Sequence, residues 1–249
     1  MRFVLKMMIA MIVMALPVQA QVQENSVVNS AMNSVVNPAM DPVVVELFTS
    51  QGCPSCPRAD AFLQELAARD DVLALALHVD YWDYIGWKDS FASPQYTARQ
   101  RAYAKSQGQR MVYTPQMIIN GVDQVVGTRT VDVVDVIARH KTREPYVSLE
   151  VTRDGSQLSI RAEAGEPLAD RLTVQLIRYR PQARVDIKRG ENAGRSINYV
   201  NIVTRLEILQ QWDTNEPLEL EASVSGNEPV VILLQHEGYG PVAAVARLR

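Results

Sequence analysis

The chain has 249 residues, of which 25 are Lys or Arg, 28 are Asp or Glu and only two are Cys. A formal charge of −3, with no basic cluster, argues against nucleic acid as the main partner. Two cysteines in this length exclude a small disulfide-built scaffold, so their use is local.

Arg2 and Lys6 precede an apolar run from Met7 to Leu16, Pro17 interrupts it, and Val18-Gln19-Ala20 offers small residues for cleavage. This layout predicts a secretory signal peptide over residues 1–20 and a mature chain outside the cytoplasm. The run falls short of the about 20 apolar residues that span a bilayer. An uncleaved anchor is the alternative, and no later stretch predicts a membrane span in the mature chain. Removal of the leader deletes two basic residues and no acid, taking the charge from −3 to −5.

Within residues 21–41, the octapeptide Asn25-Ser26-Val27-Val28-Asn29-Ser30-Ala31-Met32 recurs at once as Asn33 to Met40, with Pro38 replacing Ser. The duplication lacks aromatic residues and charge, so it reads as a low-complexity linker rather than a core-forming unit.

Residues 42–143 alternate strand-like and helical patterns. Val43 to Phe48 and Val72 to Val79 are buried-strand runs; Pro57 to Arg69 has helical spacing; and Ser93-Pro94 opens a second helix toward Gln107. Gln116 to Asn120 and Gln124 to Gly127 form a hairpin across Gly121-Val122-Asp123, and Thr130 to Arg139 closes the segment as a helix. The order β-α-β-α-β-β-α predicts an α/β domain with a mixed sheet. From residue 144 to 249 the pattern is strand-rich. Tyr146 to Thr152 and Gln157 to Ala162 flank an Asp154-Gly155 turn, and later runs start at Leu172, Ile197, Leu218, Val230 and Val242. This half predicts an antiparallel sandwich of about seven strands. The run 197–209 also fits a helix, because periodicity alone does not decide such stretches.

The chemistry centres on Cys53-Pro54-Ser55-Cys56, between a buried strand and a helix. A helix start offers unpaired N–H groups and a positive dipole end, which stabilise a thiolate. Cys53 is expected to face solvent as the nucleophile and Cys56 to face inward as the resolving thiol. An inert Cys53–Cys56 disulfide is the competing reading. A metal site lacks ligands, since only His78, His140 and His236 accompany the pair. Neither a metal nor an organic cofactor is expected. Thr114-Pro115, at the entrance of an apolar strand, is the candidate for holding substrate backbone beside the cysteines, with an ordinary edge-strand proline as the alternative. Glu46, interrupting a buried strand, is a candidate proton relay unless it lies at a strand end or on an exposed face. Trp82, Tyr84 and Trp87 form a candidate substrate platform or simply pack a long loop, and His78 either tunes the thiols or is structural. Arg189 to Arg195, with two glycines and alternating charges, reads as an exposed hairpin without a catalytic role.

The stretches Glu46 to Pro57, His78 to Tyr84, Gly86 to Asp89, Phe91 to Pro94, Tyr113 to Met117 and Arg189 to Asn192 together resemble the secreted bacterial thioredoxin-like family known as domain of unknown function 1223. The resemblance covers Val43 to Leu248. It implies a thioredoxin-like domain followed by a β-rich domain, and export to a periplasm, but no substrate. The Cys-Pro-Ser-Cys motif matches neither the Cys-Gly-Pro-Cys of thioredoxins nor the Cys-Pro-His-Cys of periplasmic oxidants. The direction of electron flow is therefore open. The expected activity is an exported thiol–disulfide oxidoreductase acting on a protein or small thiol partner. The alternative is a non-catalytic binding protein with a structural disulfide. The sequence names neither substrate, redox partner nor oligomeric state.

Overall fold

The computed structural model describes residues 33–36, 42–142 and 145–248, so the predicted signal peptide lies outside the described residues. Within the segment read as a linker, Asn33–Val36 forms strand β1. Next come β2 (Val43–Thr49) and β3 (Val72–His78), in which all seven residues are buried. Strands covered on both faces need no alternation and suit parallel pairing. They pair parallel from Val43 with Val72 to Thr49 with His78.

Helix α1 (Pro57–Ala67) makes the crossover, with Pro57 in its first turn, where a missing N–H costs nothing. It buries Ala59, Phe62, Leu63 and Leu66. Helix α2 (Pro94–Ser106) is capped by Ser93, whose hydroxyl accepts from Gln95 N–H at 3.2 Å. Strands β4 (Gln116–Ile119) and β5 (Asp123–Val126) form the expected hairpin, followed by α3 (Thr130–His140). Its turn holds Asn120 at φ 47° and Gly121 at φ 72°. A side chain at Gly121 would place its Cβ 2.4 Å from the Gly240 carbonyl oxygen, so only glycine fits.

The second half supplies β6 (Val147–Asp154), β7 (Gln157–Ala164), β8 (Leu172–Asp186), β9 (Ser196–Trp212), β10 (Leu218–Ser223), β11 (Val230–His236) and β12 (Val242–Leu248). The ambiguous 197–209 run is thus a strand, in keeping with its Ile and Val content.

The expectation of a thioredoxin-like α/β domain followed by an antiparallel sandwich is overturned. The molecule is mainly β, and one eight-stranded mixed sheet, ordered β12-β11-β8-β9-β3-β2-β4-β5, runs through both halves. A second sheet, β1-β6-β7-β10, takes only part of the predicted sandwich. The physical reason is the outer edge of β3, whose unpaired backbone groups require a partner. The 17-residue β9 pairs with β8 along its length and meets β3 in parallel at Ala76 and Ile202. Asn201 fastens the junction by donating from Nδ2 to the Ala74 carbonyl at 2.8 Å.

Three apolar clusters complete the layers. Val43, Val45 and Leu47 pack with α1 and α3 on one face, and the four-stranded sheet covers Val174, Leu176, Ile232 and Leu234 farther along. Val44 and Phe48 pack on the opposite face with Tyr96 and Tyr103 of α2. No helix among the described residues is long and apolar enough to cross a membrane.

Candidate functional site

The loop from β2 to α1 carries the Cys53–Cys56 disulfide, with Cα atoms 5.4 Å apart. Cys56 is the residue preceding α1 and has helical backbone angles; its carbonyl accepts from Ala59 N–H at 2.8 Å and Asp60 N–H at 3.0 Å. The disulfide therefore sits at the positive end of the helix dipole. Pro54 and Ser55 are exposed. Cys53 and Cys56 are both 0% exposed, contrary to the expectation that Cys53 faces solvent. The exposed Ser55 lies over it, with Oγ 3.5 Å from Cys53 Sγ and 3.4 Å from the Thr114 carbonyl oxygen.

Thr114 is therefore beside the disulfide, and the Thr114–Pro115 peptide bond is cis. Trp82 fixes this segment by donating its indole N–H to Thr114 Oγ1 at 2.7 Å. Trp87 donates likewise to Gln51 Oε1 at 2.8 Å. These two aromatic residues brace the site, whereas Tyr84 stands out at 83% exposure.

Glu46 is not brought to the disulfide. It alternates with Val44 and Phe48 and so faces α2, where Arg99 holds it through Nε at 2.7 Å and Nη2 at 3.2 Å. Tyr103 adds an O–H donor at 2.5 Å, and Arg99 reaches Gln175 and Gln235 as well. Burial works against the Arg99 charge, but Glu46 outweighs it and leaves the guanidinium more firmly protonated than usual.

A different set of residues lies behind the cysteines. His78, at the end of β3, meets Asp89 through Nδ1 at 2.7 Å. Asp89 also accepts from the backbone N–H groups of Gln51 and Phe91, both at 2.8 Å. Burial opposes the Asp89 charge, yet His78 and these donors prevail and hold its carboxyl below its ordinary value. Asp60, on α1, is buried and accepts from Thr49 Oγ1 at 2.7 Å. Burial raises its pKa to about 7, with His78 and Thr49 pulling the other way. Tyr199, from β9, packs edge-on against His78 at 4.9 Å, and burial raises its phenol too. Asp60 Oδ2, His78 Nε2 and Tyr199 O–H are buried without a protein partner.

The segment from Arg189 to Arg195 also belongs here. Asn192 is buried, and its Nδ2 donates to the Gln51 carbonyl at 2.9 Å and the Cys53 carbonyl at 2.8 Å. Gly190 packs against Trp87 and Ile85. The predicted exposed hairpin thus reaches the cysteine loop. Nothing in the local sequence signals this, because the partners are 139 and 141 residues apart. Asp60 was more accessible to sequence reasoning, as an acid four residues beyond Cys56 on an otherwise apolar helix face. Among the described residues, no group of three or more His, Cys, Asp or Glu is placed to hold a metal ion.

The model of a family described as "Protein of unknown function (DUF1223)" matches residues 44–235. A crystal structure of a protein from Agrobacterium tumefaciens is similar, with a TM-score of 0.71 and 31% identity, covering 83% of this chain and 93% of that one. HBP35 of Porphyromonas gingivalis is similar in fold alone, with a TM-score of 0.53 and 12% identity over 85% of this chain and 76% of that one. Comparison with curated proteins finds no match.

Proposed function

The chain belongs to the DUF1223 family of proteins of unknown function, and from that starting point we propose that it exchanges electrons with other thiols or disulfides through a reversible Cys53–Cys56 bond. The observation that carries the reading is the position of the disulfide. It closes at the start of α1, beneath exposed Ser55 and beside the Thr114 backbone. On reduction, the helix dipole favours a thiolate at this end of α1. Cys53 attacks, Cys56 resolves, and the segment ending in Thr114-Pro115 lines the approach of an extended substrate. Cys53 is buried, and the exposed Ser55 side chain, held by two long contacts, is one group that an approaching partner displaces. The partner is a protein or small thiol, met after export into an oxidising compartment.

A Cys56→Ala variant tests this reading by trapping a mixed disulfide on Cys53 with a partner protein or a model disulfide. Titration of the wild type against a dithiothreitol series supplies the potential. Capture, together with a potential well above about −300 mV, supports exchange.

The burial of both sulfurs favours a second reading, a static crosslink that fixes the loop for a non-catalytic binding role. It predicts no capture, a potential below about −300 mV, and a reduced Cys53 that resists alkylation in the native state. Those three results together would displace the exchange reading.

A further inference from the structure

Exchange through this pair places a demand on Cys56 that the helix dipole alone does not meet. Cys56 is fully shielded, so its thiol has no bulk water to take its proton when it must attack the Cys53 mixed disulfide. Burial makes an unassisted thiolate costly. A base must therefore lie inside the protein.

Glu46 does not serve, because Arg99 and Tyr103 occupy both its oxygens on the other face of the sheet. Asp60 is placed correctly. Cys56 has helical backbone angles and Asp60 follows it by four residues, so the two side chains share one face of α1, with about 5–6 Å between their Cβ atoms. One Asp60 oxygen is occupied by the Thr49 hydroxyl, and the other, Oδ2, is buried with no partner.

The surroundings keep Asp60 able to change its charge. Thr49 approaches from β2, His78 from β3, Asp89 from the loop beyond it and Tyr199 from β9. None is a Lys or Arg that would hold the carboxylate permanently ionised. Asp89 orients His78 through Nδ1 and leaves Nε2 without a partner.

We propose that Asp60 is the proton acceptor for Cys56 in the resolving step. The inference rests on the exchange reading and adds a residue to it. In the first step the Cys53 thiolate attacks a substrate disulfide, whose S–S bond breaks as one sulfur leaves and the other joins Cys53. Cys56 then gives its S–H proton to Asp60 Oδ2, and the Cys56 thiolate attacks Cys53. The Cys53–Cys56 bond forms, the remaining substrate sulfur leaves as a thiolate, and two electrons have passed from the cysteine pair to the substrate. In the reverse direction Asp60 returns the proton to Cys56.

Stopped-flow reaction of the reduced protein with an aromatic disulfide that releases a coloured thiolate separates the two steps. A first phase reports Cys53 attack and a second reports resolution by Cys56. The wild-type second phase should slow as pH falls through about 7, where Asp60 becomes protonated and cannot accept. Asp60→Asn should slow the second phase at least about 10²-fold at neutral pH and remove that acid limb, leaving the first phase unchanged. A second phase as fast as wild type overturns the assignment. Absence of either phase in the wild type would instead sink the exchange reading itself. Should Asp60→Asn not fold, Thr49→Val removes only the hydroxyl that stabilises the carboxylate. The acid limb should then move up by about half to one pH unit with its plateau kept; a limb that stays in place also overturns the proposal.

Discussion

Replacing Glu46 with Gln separates a structural ion pair from a proton relay. The substitution keeps the size of the side chain and removes its charge. Arg99 then remains charged and buried, with the side chains of Gln175, Gln235 and Tyr103 as its neutral partners. The new amide also turns an N–H donor toward Arg99 or Tyr103, where the carboxylate had accepted from both. Breaking one partner of a buried pair costs about 3–5 kcal/mol, a large share of a total of about 5–15 kcal/mol. At about 2–4 °C per kcal/mol for a chain of this size, the melting temperature should fall by about 6–20 °C. Guanidinium denaturation with the disulfide intact measures the loss directly. Removing both charges, as in Glu46→Leu with Arg99→Met, should cost less than Glu46→Gln alone, because no charge is stranded. A loss below about 1 kcal/mol, the size of an exposed pair, would refute this view of the network. The two phases of disulfide exchange should be unaffected, since Glu46 faces α2 and not the cysteines.

Asn192→Ala removes the side-chain donor to the Gln51 and Cys53 carbonyls, leaving the latter only the Cys56 N–H at 3.3 Å, and should destabilise the protein by about 1–3 kcal/mol. Native-state alkylation of reduced Cys53 should be faster in the same variant, because its loop loses the brace from the β8–β9 hairpin. The pH dependence of stability offers a separate check on Asp60. Its folded pKa of about 7 lies above its ordinary 3.8, so its contribution is fully present below pH 3.8 and is lost as pH rises through about 7. Relative to Asp60→Asn, the wild type should lose about 4 kcal/mol across that window. Asp89 acts in the opposite sense, its contribution being lost as pH falls, and it is common to both proteins. Urea denaturation of the two proteins at several pH values isolates the Asp60 slope; parallel profiles would refute it.

The local elements were legible because their signals are local. The apolar runs of β2 and β3, Pro57 and Ser93-Pro94 at helix starts, and the turns at Gly121 and Gly155 each lie within a few residues of the structure they specify. The Cys53-Pro54-Ser55-Cys56 motif and its position before a helix could likewise be read directly. Sequence patterning did not reveal which strand would cover the free edge of β3. Backbone hydrogen bonding is indifferent to side-chain identity, so the choice of β9 depended on its length and on the packing of both halves.

The same limit separates the candidate site residues. Glu46 and Asp60 are both buried acids, one on a strand and the other on a helix. Only the alternation of β2 across the sheet delivers Glu46 to Arg99, and only the helical repeat of α1 places Asp60 alongside Cys56. Sequence by itself determined the cysteine pair, its helix and the proline that approaches it. Tertiary structure decided that Asn192 grips the cysteine loop, that both sulfurs are covered, and that Glu46 pairs with Arg99 away from them. Each of those outcomes depends on contacts between distant segments, and such contacts form only when the whole sheet is assembled.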